Sequence, residues 1–213
     1  GHRDMFGVFL TPPSSPDTDA GMIWMDGDNF HDMCGHGTIA LGMAMVSSGL
    51  VPSTGNLTKI RFDTTAGPVT ADVGSTDSGV EWCRFENVPA YLAEQDVKID
   101  LPEFGEVKVD IAFGGNYFAI VEWTHPTWKI SPENGSFFSR LGPVVKELIN
   151  QKISLQHPTQ RHINNLQFVT FYHEPTRPEA FYRGVHVFSD GKVDRSPGGT
   201  GTSAMMAMLE ARG

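Results

Sequence analysis

The sequence has no cluster of basic residues, no apolar run near the roughly 20 residues needed to cross a bilayer, and two cysteines in 213 positions. Each shortage removes a class of function. Its 16 Lys and Arg face 25 Asp and Glu, a formal net charge of −9, so no cationic face exists to neutralise phosphates and nucleic acid is not an expected partner. Without a membrane span or a charged-then-apolar leader, the chain reads as cytoplasmic, with no membrane partner. Two cysteines allow one disulfide at most. A chain this long, 39% hydrophobic, buries a core without that staple. The histidines at 31, 125, 157, 162, 173 and 186 lack zinc-ligand spacing, and no metal is expected.

What is present is a regular alternation of strand-like runs with glycine and proline punctuation. The first part carries MFGVFL, GMIWM, LTKIRFD, GPVTADV and GVEWCRF. One helix interrupts them, predicted from about His36 to Ser48 with Ile39, Ala40, Met43 and Val46 on its apolar face and Gly49 past its end. The pattern then restarts with DVKID, EVKVDIAF, NYFAIVEW, LQFVTFYHE and FYRGVHVF. A helix is predicted near Phe138 to Gln151, its stripe made of Leu141, Val144, Val145, Leu148 and Ile149, and a last helix from about Thr200. The NVPAY segment is the boundary candidate, dividing the chain into 1–88 and 89–213.

A repeat links the two parts. Residues 34–40 read CGHGTIA and residues 198–204 read GGTGTSA, so Gly, Gly, Thr and Ala coincide at a constant offset of 164, each time before a Met/Ala/Leu-rich helix. Two related half-domains explain this better than coincidence. A glycine-rich turn that opens a helix offers free N–H groups and the positive end of the helix dipole, which suits an anion. A phosphate-loop reading of SPGGTGTS fails for want of a Lys after the glycines, and the glycine spacing of a dinucleotide fold is missing.

Cys34 falls at a helix start, where the dipole favours thiolate over thiol. Cys83 sits in a strand-like run and reads as a buried, inert thiol. A cysteine hydrolase built on Cys34 and His36 is disfavoured, because the two side chains are expected to leave the turn in different directions and no orienting Asn or Asp is evident. Asp194 and Arg195 precede the second loop. They are either a surface ion pair or the carboxylate that an ammonium group beside an anion pocket would want, which makes an amino acid a natural ligand.

With these residues assembled, the chain resembles the proline racemase family, which includes hydroxyproline epimerases and 3-hydroxyproline dehydratases. The matching motifs are GHRDMFG at 1–7, MCGHGTIA at 33–40, DTTAGPV at 63–69, FGGNYFAIV at 113–121 and SDGKVDRSPGGTGTSA at 189–204. The resemblance covers nearly the whole chain and implies the middle of a longer family member, so that Gly1 and His2 are native. It implies an α+β, diaminopimelate epimerase-like fold, with two pseudo-symmetric half-domains, each a sheet wrapped around a central helix, and the active site between them. It also implies a cofactor-independent enzyme, in which Cys34 is the base and the N–H groups of Gly35, His36, Gly199 and Thr200 hold the carboxylate of proline or hydroxyproline. Asp194 and in part His36 would bind the ring nitrogen, Phe6 and Phe188 would flank the ring, and members are often homodimers.

One position departs from the family pattern. Racemases and epimerases carry a second Cys where this chain has Gly198, one thiol removing the proton and the other delivering one to the opposite face. Gly has nothing to deliver, and Cys83 is a poor substitute. Three expectations stand side by side: one-base chemistry such as dehydration of trans-3-hydroxyproline, inversion with a water in the space at Gly198, or an imino-acid-binding homologue without turnover.

Overall fold

The computed structural model describes residues 5–27, 29–188 and 190–213. The GHRD opening of the first family-like motif and Ser189 of the last lie outside the described residues. The chain divides into two compact units, Gly1–Pro89 and Ala90–Gly213.

The first unit is built on one sheet. Its strands are β1 (Phe6–Thr11), β2 (Ala20–Asp26), β3 (Phe30–His31), β4 (Leu57–Thr64), β5 (Gly67–Thr76) and β6 (Gly79–Glu86), and one helix, α1 (Gly35–Ser47), follows β3. The order is β1-β2-β4-β5-β6, with β3 paired on β2. Only β2 and β4 run parallel, and the connection between them is the one that carries α1. The alternation read from LTKIRFD and GPVTADV becomes one buried layer: Thr58 opposes Val73, Ile60 opposes Ala71, and Phe62 opposes Val69, all of them enclosed.

Helix α1 packs against β5 and β6 through a face that keeps Val46 of the four apolar residues predicted for it and is otherwise shifted. Thr38, Gly42, Met45 and Val46 are buried, whereas Ala40 is exposed and Ile39 and Met43 are half-covered. The reason is close approach. A Cβ on Gly42 would lie 3.3 Å from Cys83 Sγ, 3.4 Å from Val73 and 3.7 Å from Ala71, so the helix seats on the sheet through its smallest residue, and a count of large apolar side chains misses that face.

The second unit has a five-stranded sheet of order β11-β10-β9-β8-β7. Its strands are β7 (Tyr91–Leu101), β8 (Gly105–Phe113), β9 (Tyr117–Glu122), β10 (Phe168–His173) and β11 (Arg183–Val187), with α2 (Gly135–Lys152) between β9 and β10 and α3 (Gly199–Arg212) after β11. Because side chains alternate along a strand, the two helices take opposite faces. Phe138 of α2 meets Phe171 and Gly142 meets Val187, while Ala204 and Met208 of α3 pack with Phe118, Ile120 and Phe168. Strand β9, covered on both faces, is apolar and enclosed from Tyr117 to Val121. The α2 stripe holds at Leu141, Val145 and Ile149, but Val144 points outward and Phe138 and Gly142 complete the buried face.

The fold is therefore α+β, in two half-domains that repeat one relation: a glycine-rich loop feeding a helix that lies on a sheet.

Candidate active site

In the first unit the loop is pinned from behind. The turn between β4 and β5, written DTTAG, sends the Thr65 hydroxyl to the Asp32 carbonyl at 3.1 Å and the Ala66 N–H to the same oxygen at 3.3 Å. This fixes residue 32 and delivers Met33, which is buried, and Cys34 to the start of α1. Cys34 is the N-cap, in extended conformation (φ −140°, ψ 111°), and its own side chain makes no cap hydrogen bond. The Cys34 carbonyl accepts both the Thr38 N–H, at 3.0 Å, and the Thr38 hydroxyl, at 2.8 Å. Helix geometry leaves the N–H groups of Gly35, His36 and Gly37 without intrahelical acceptors.

Cys34 is 6% exposed. Its Sγ lies 3.7 Å from both Nδ1 and Nε2 of His36, whose ring is exposed. This corrects the expectation that the two side chains diverge. An N-cap side chain leans over the first turn of its own helix, toward the second and third residues, and His36 is the second.

Phe6 completes the cluster from β1. Its ring stacks on His31 (centroids 5.2 Å apart, 14° between planes) and tilts against His36 at 5.9 Å. Behind it lies a pair that no sequence signal marked: His31 Nε2 and Asp26 Oδ2 stand 3.1 Å apart with side chains 0% and 1% exposed. The sheet register brings them together, since Asp26 sits opposite Phe6 while His31 sits opposite Trp24. The other Asp26 oxygen accepts the Asn29 N–H at 2.7 Å, closing the β2–β3 turn. Gly37 lets α1 approach this floor, because a Cβ there would come 2.6 Å from Trp24 Cη2.

In the second unit, Gly198 is the N-cap of α3 and takes the left-handed conformation (φ 68°, ψ 67°), unlike Cys34 at the matching place. Gly199 and Thr200 open the helix, and the Gly198 carbonyl accepts the Thr202 N–H at 2.7 Å. Asp194 is half-buried. It accepts the Ser196 N–H at 2.8 Å on Oδ1, and its own N–H goes to the His186 carbonyl at 2.9 Å. Phe188 packs edge-on against Phe168 at 5.2 Å. The family-like FGGN stretch has a packing role as well, since a Cβ on Gly114 would come 2.6 Å from the Ala204 N.

His186 lies beneath this loop. Its Nδ1 is hydrogen-bonded to the Thr170 hydroxyl at 2.8 Å, and its ring is wedged between Gly198 and Gly201, a Cβ on either of which would fall 2.5–2.6 Å from ring atoms. Burial pushes the His186 pKa down, against the opposing pull of Asp194 and of a backbone contact at Pro197. The scattered spacing of the histidines hid this role. Cys83, half-buried in β6, has its thiol pushed up by burial and by Asp72, in keeping with an inert thiol. No group of three or more potential metal ligands gathers among the described residues, and none of their helices is long and apolar enough to cross a membrane.

The sequence profile of the proline racemase family matches residues 1–213. The chain belongs to the proline racemase family. Among curated members, a 4-hydroxyproline 2-epimerase of Cereibacter sphaeroides is 59% identical over the whole of this chain and 64% of its own length, and a proline racemase of Clostridioides difficile is 45% identical with the same coverage. A hydroxyproline epimerase from Agrobacterium vitis, crystallised with bound trans-4-hydroxy-L-proline, superposes with a TM-score of 0.89 at 31% identity, covering 96% of this chain and 58% of that one. The chain thus spans a little under two thirds of the length of these relatives.

Proposed function

We propose that this chain carries out cofactor-independent proton abstraction at Cα of proline or a hydroxyproline, with Cys34 as the base. The observation that carries the reading is Cys34 itself, an enclosed thiol at the N-cap of α1 with the first-turn N–H groups beside it. Taking the α-proton from an amino acid places negative charge on the carboxylate as an enolate-like dianion. N–H groups of Gly35 and His36 at a helix N-terminus are donors fixed where that charge develops, and those of Gly199 and Thr200 are assigned the same task. Asp194, with its Oδ2 outside the Ser196 hydrogen bond, takes the ring nitrogen, with His36 contributing in part. Phe6 and Phe188 are assigned to the two sides of the pyrrolidine, and Gly198 gives the backbone room.

A second reading is favoured by one observation. Gly198 carries no side chain and the His186 ring fills the space beside it, so two-thiol inversion lacks its second thiol and a one-base outcome, dehydration of trans-3-hydroxyproline or simple α-proton exchange, competes with inversion. The deciding experiment is incubation with L- and D-proline, 4-hydroxyproline and trans-3-hydroxyproline in heavy water, followed by NMR. The opposite stereoisomer at Cα indicates racemase or epimerase chemistry, a cyclic imine indicates dehydration, and α-deuteration with retention indicates one-base exchange. Binding of all four compounds with no exchange would leave an imino-acid-binding homologue and defeat the catalytic reading.

A further inference from the structure

We infer that His36 is the proton outlet of Cys34: its imidazole takes the proton that the thiol has removed from substrate and passes it to water. This rests on the reading of Cys34 as the base and adds the step that returns the base to its starting state.

The need arises from having one thiol at the site. A proton held on Cys34 can return to Cα or, in a dehydration, leave with the departing hydroxyl, and solvent hydrogen enters Cα only if the proton on sulfur is first exchanged. With Gly198 in place of a second thiol, that exchange falls to a group beside Cys34. Cys34, at 6% exposure, has little contact with solvent of its own.

His36 lies where such a group is needed. The residue is exposed, and the sulfur stands 3.7 Å from each of its two ring nitrogens, over the ring, so that a turn of the imidazole aims one nitrogen at the thiol. An imidazole accepts a proton on one nitrogen and releases one from the other, so a ring that touches a buried thiol and also reaches solvent joins the two. Phe6, tilted 53° against it, limits where the ring can swing. From β2 and β3 the titratable groups behind Phe6 are Asp26 and His31, which face each other at 3.1 Å and are enclosed, and β1 presents Phe6 itself.

The Cα–H bond breaks, its electron pair stays on the substrate as the enolate, and an S–H bond forms on Cys34. The S–H bond then breaks as an N–H bond forms on the neutral His36 ring, which leaves thiolate beside imidazolium. The imidazolium loses its other proton to water, and a solvent proton or deuteron returns to Cα by the reverse route.

The test compares wild type with His36→Ala and His36→Gln. In heavy water, α-deuteration of the best substrate falls about 100-fold in His36→Ala, and free imidazole restores it in proportion to its concentration without accelerating wild type. Exchange by His36→Ala at the wild-type rate, or a deficit that imidazole does not relieve, overturns the inference. A second measurement needs no substrate, which separates this inference from the function it rests on. At about pH 7, alkylation of Cys34 by iodoacetamide, located by peptide mass, is expected to be at least about 10-fold slower in His36→Gln than in wild type, with the two converging near pH 10, where the thiol ionises unaided. Equal rates at pH 7 overturn the proton link even if wild type proves inert toward every imino acid.

Discussion

The ring of His186 fills the space into which a side chain on Gly198 would project, with ring Nε2 2.5 Å from where its Cβ would stand. Glycine at 198 is thus tied to its neighbour in two ways, by the left-handed backbone (φ 68°) and by the imidazole beneath it. A Gly198→Cys variant must leave the left-handed region or strain it, at a cost of about 1–2 kcal/mol, and must also displace the ring. Urea denaturation should show Gly198→Cys less stable than wild type, with Gly198→Cys/His186→Ala recovering stability relative to the sum of its single variants. Strict additivity would separate the two residues.

His186 also sets a pH dependence. Burial holds its folded-state pKa below the ordinary 6.5, so the unfolded chain takes up this proton first as pH falls. The stability associated with the neutral ring is whole above about pH 6.5 and is lost as pH falls toward the depressed folded value. Denaturation midpoints at pH 7.5 and pH 5 should therefore differ more for wild type than for His186→Gln. Removing the Thr170 partner by Thr170→Val should cost about 1–3 kcal/mol at neutral pH, the penalty for a buried nitrogen left without its hydrogen bond.

The Asp26–His31 pair, with both side chains enclosed, is a floor for Phe6. Asp26→Asn keeps the acceptor for the Asn29 N–H but removes the carboxylate oxygen facing His31. A buried polar group left without its partner costs about 1–3 kcal/mol. Thermal unfolding should register it as a clear loss, and a change under about 0.5 kcal/mol, the range of surface substitutions, would mean that the pair contributes packing alone.

Much of this arrangement was legible in the sequence. The strand-like runs became strands because alternation and glycine punctuation are local properties, and the Cys34 and Gly198 loops declared themselves by repetition at a fixed offset. What was not legible depends on through-space neighbours. The apolar count on α1 named Ile39 and Met43, but Gly42 decides the contact because only its lack of a side chain lets the helix reach Val73 and Cys83. The Asp26–His31 pair exists because two strands meet in one register, and the Cys34–His36 approach depends on the rotation of the first helical turn. Neither leaves a mark in spacing.

Gly37 provides a test of that first turn. Gly37→Ala places a Cβ 2.6 Å from Trp24 Cη2, which pushes the start of α1 off β2. Overpacking of this kind costs about 1–3 kcal/mol, and it should also alter the rate at which Cys34 is alkylated. A stable variant with unchanged thiol reactivity would show that the helix start tolerates displacement.

The central claim is that the Cys34 thiol removes the α-proton. Its most direct measurement is α-deuterium incorporation into proline and hydroxyproline in heavy water by wild type and by Cys34→Ala, with binding of the same compounds followed in parallel by calorimetry. Exchange by wild type, a loss of at least about 100-fold in Cys34→Ala, and retained binding are expected. Undiminished exchange in Cys34→Ala would contradict it.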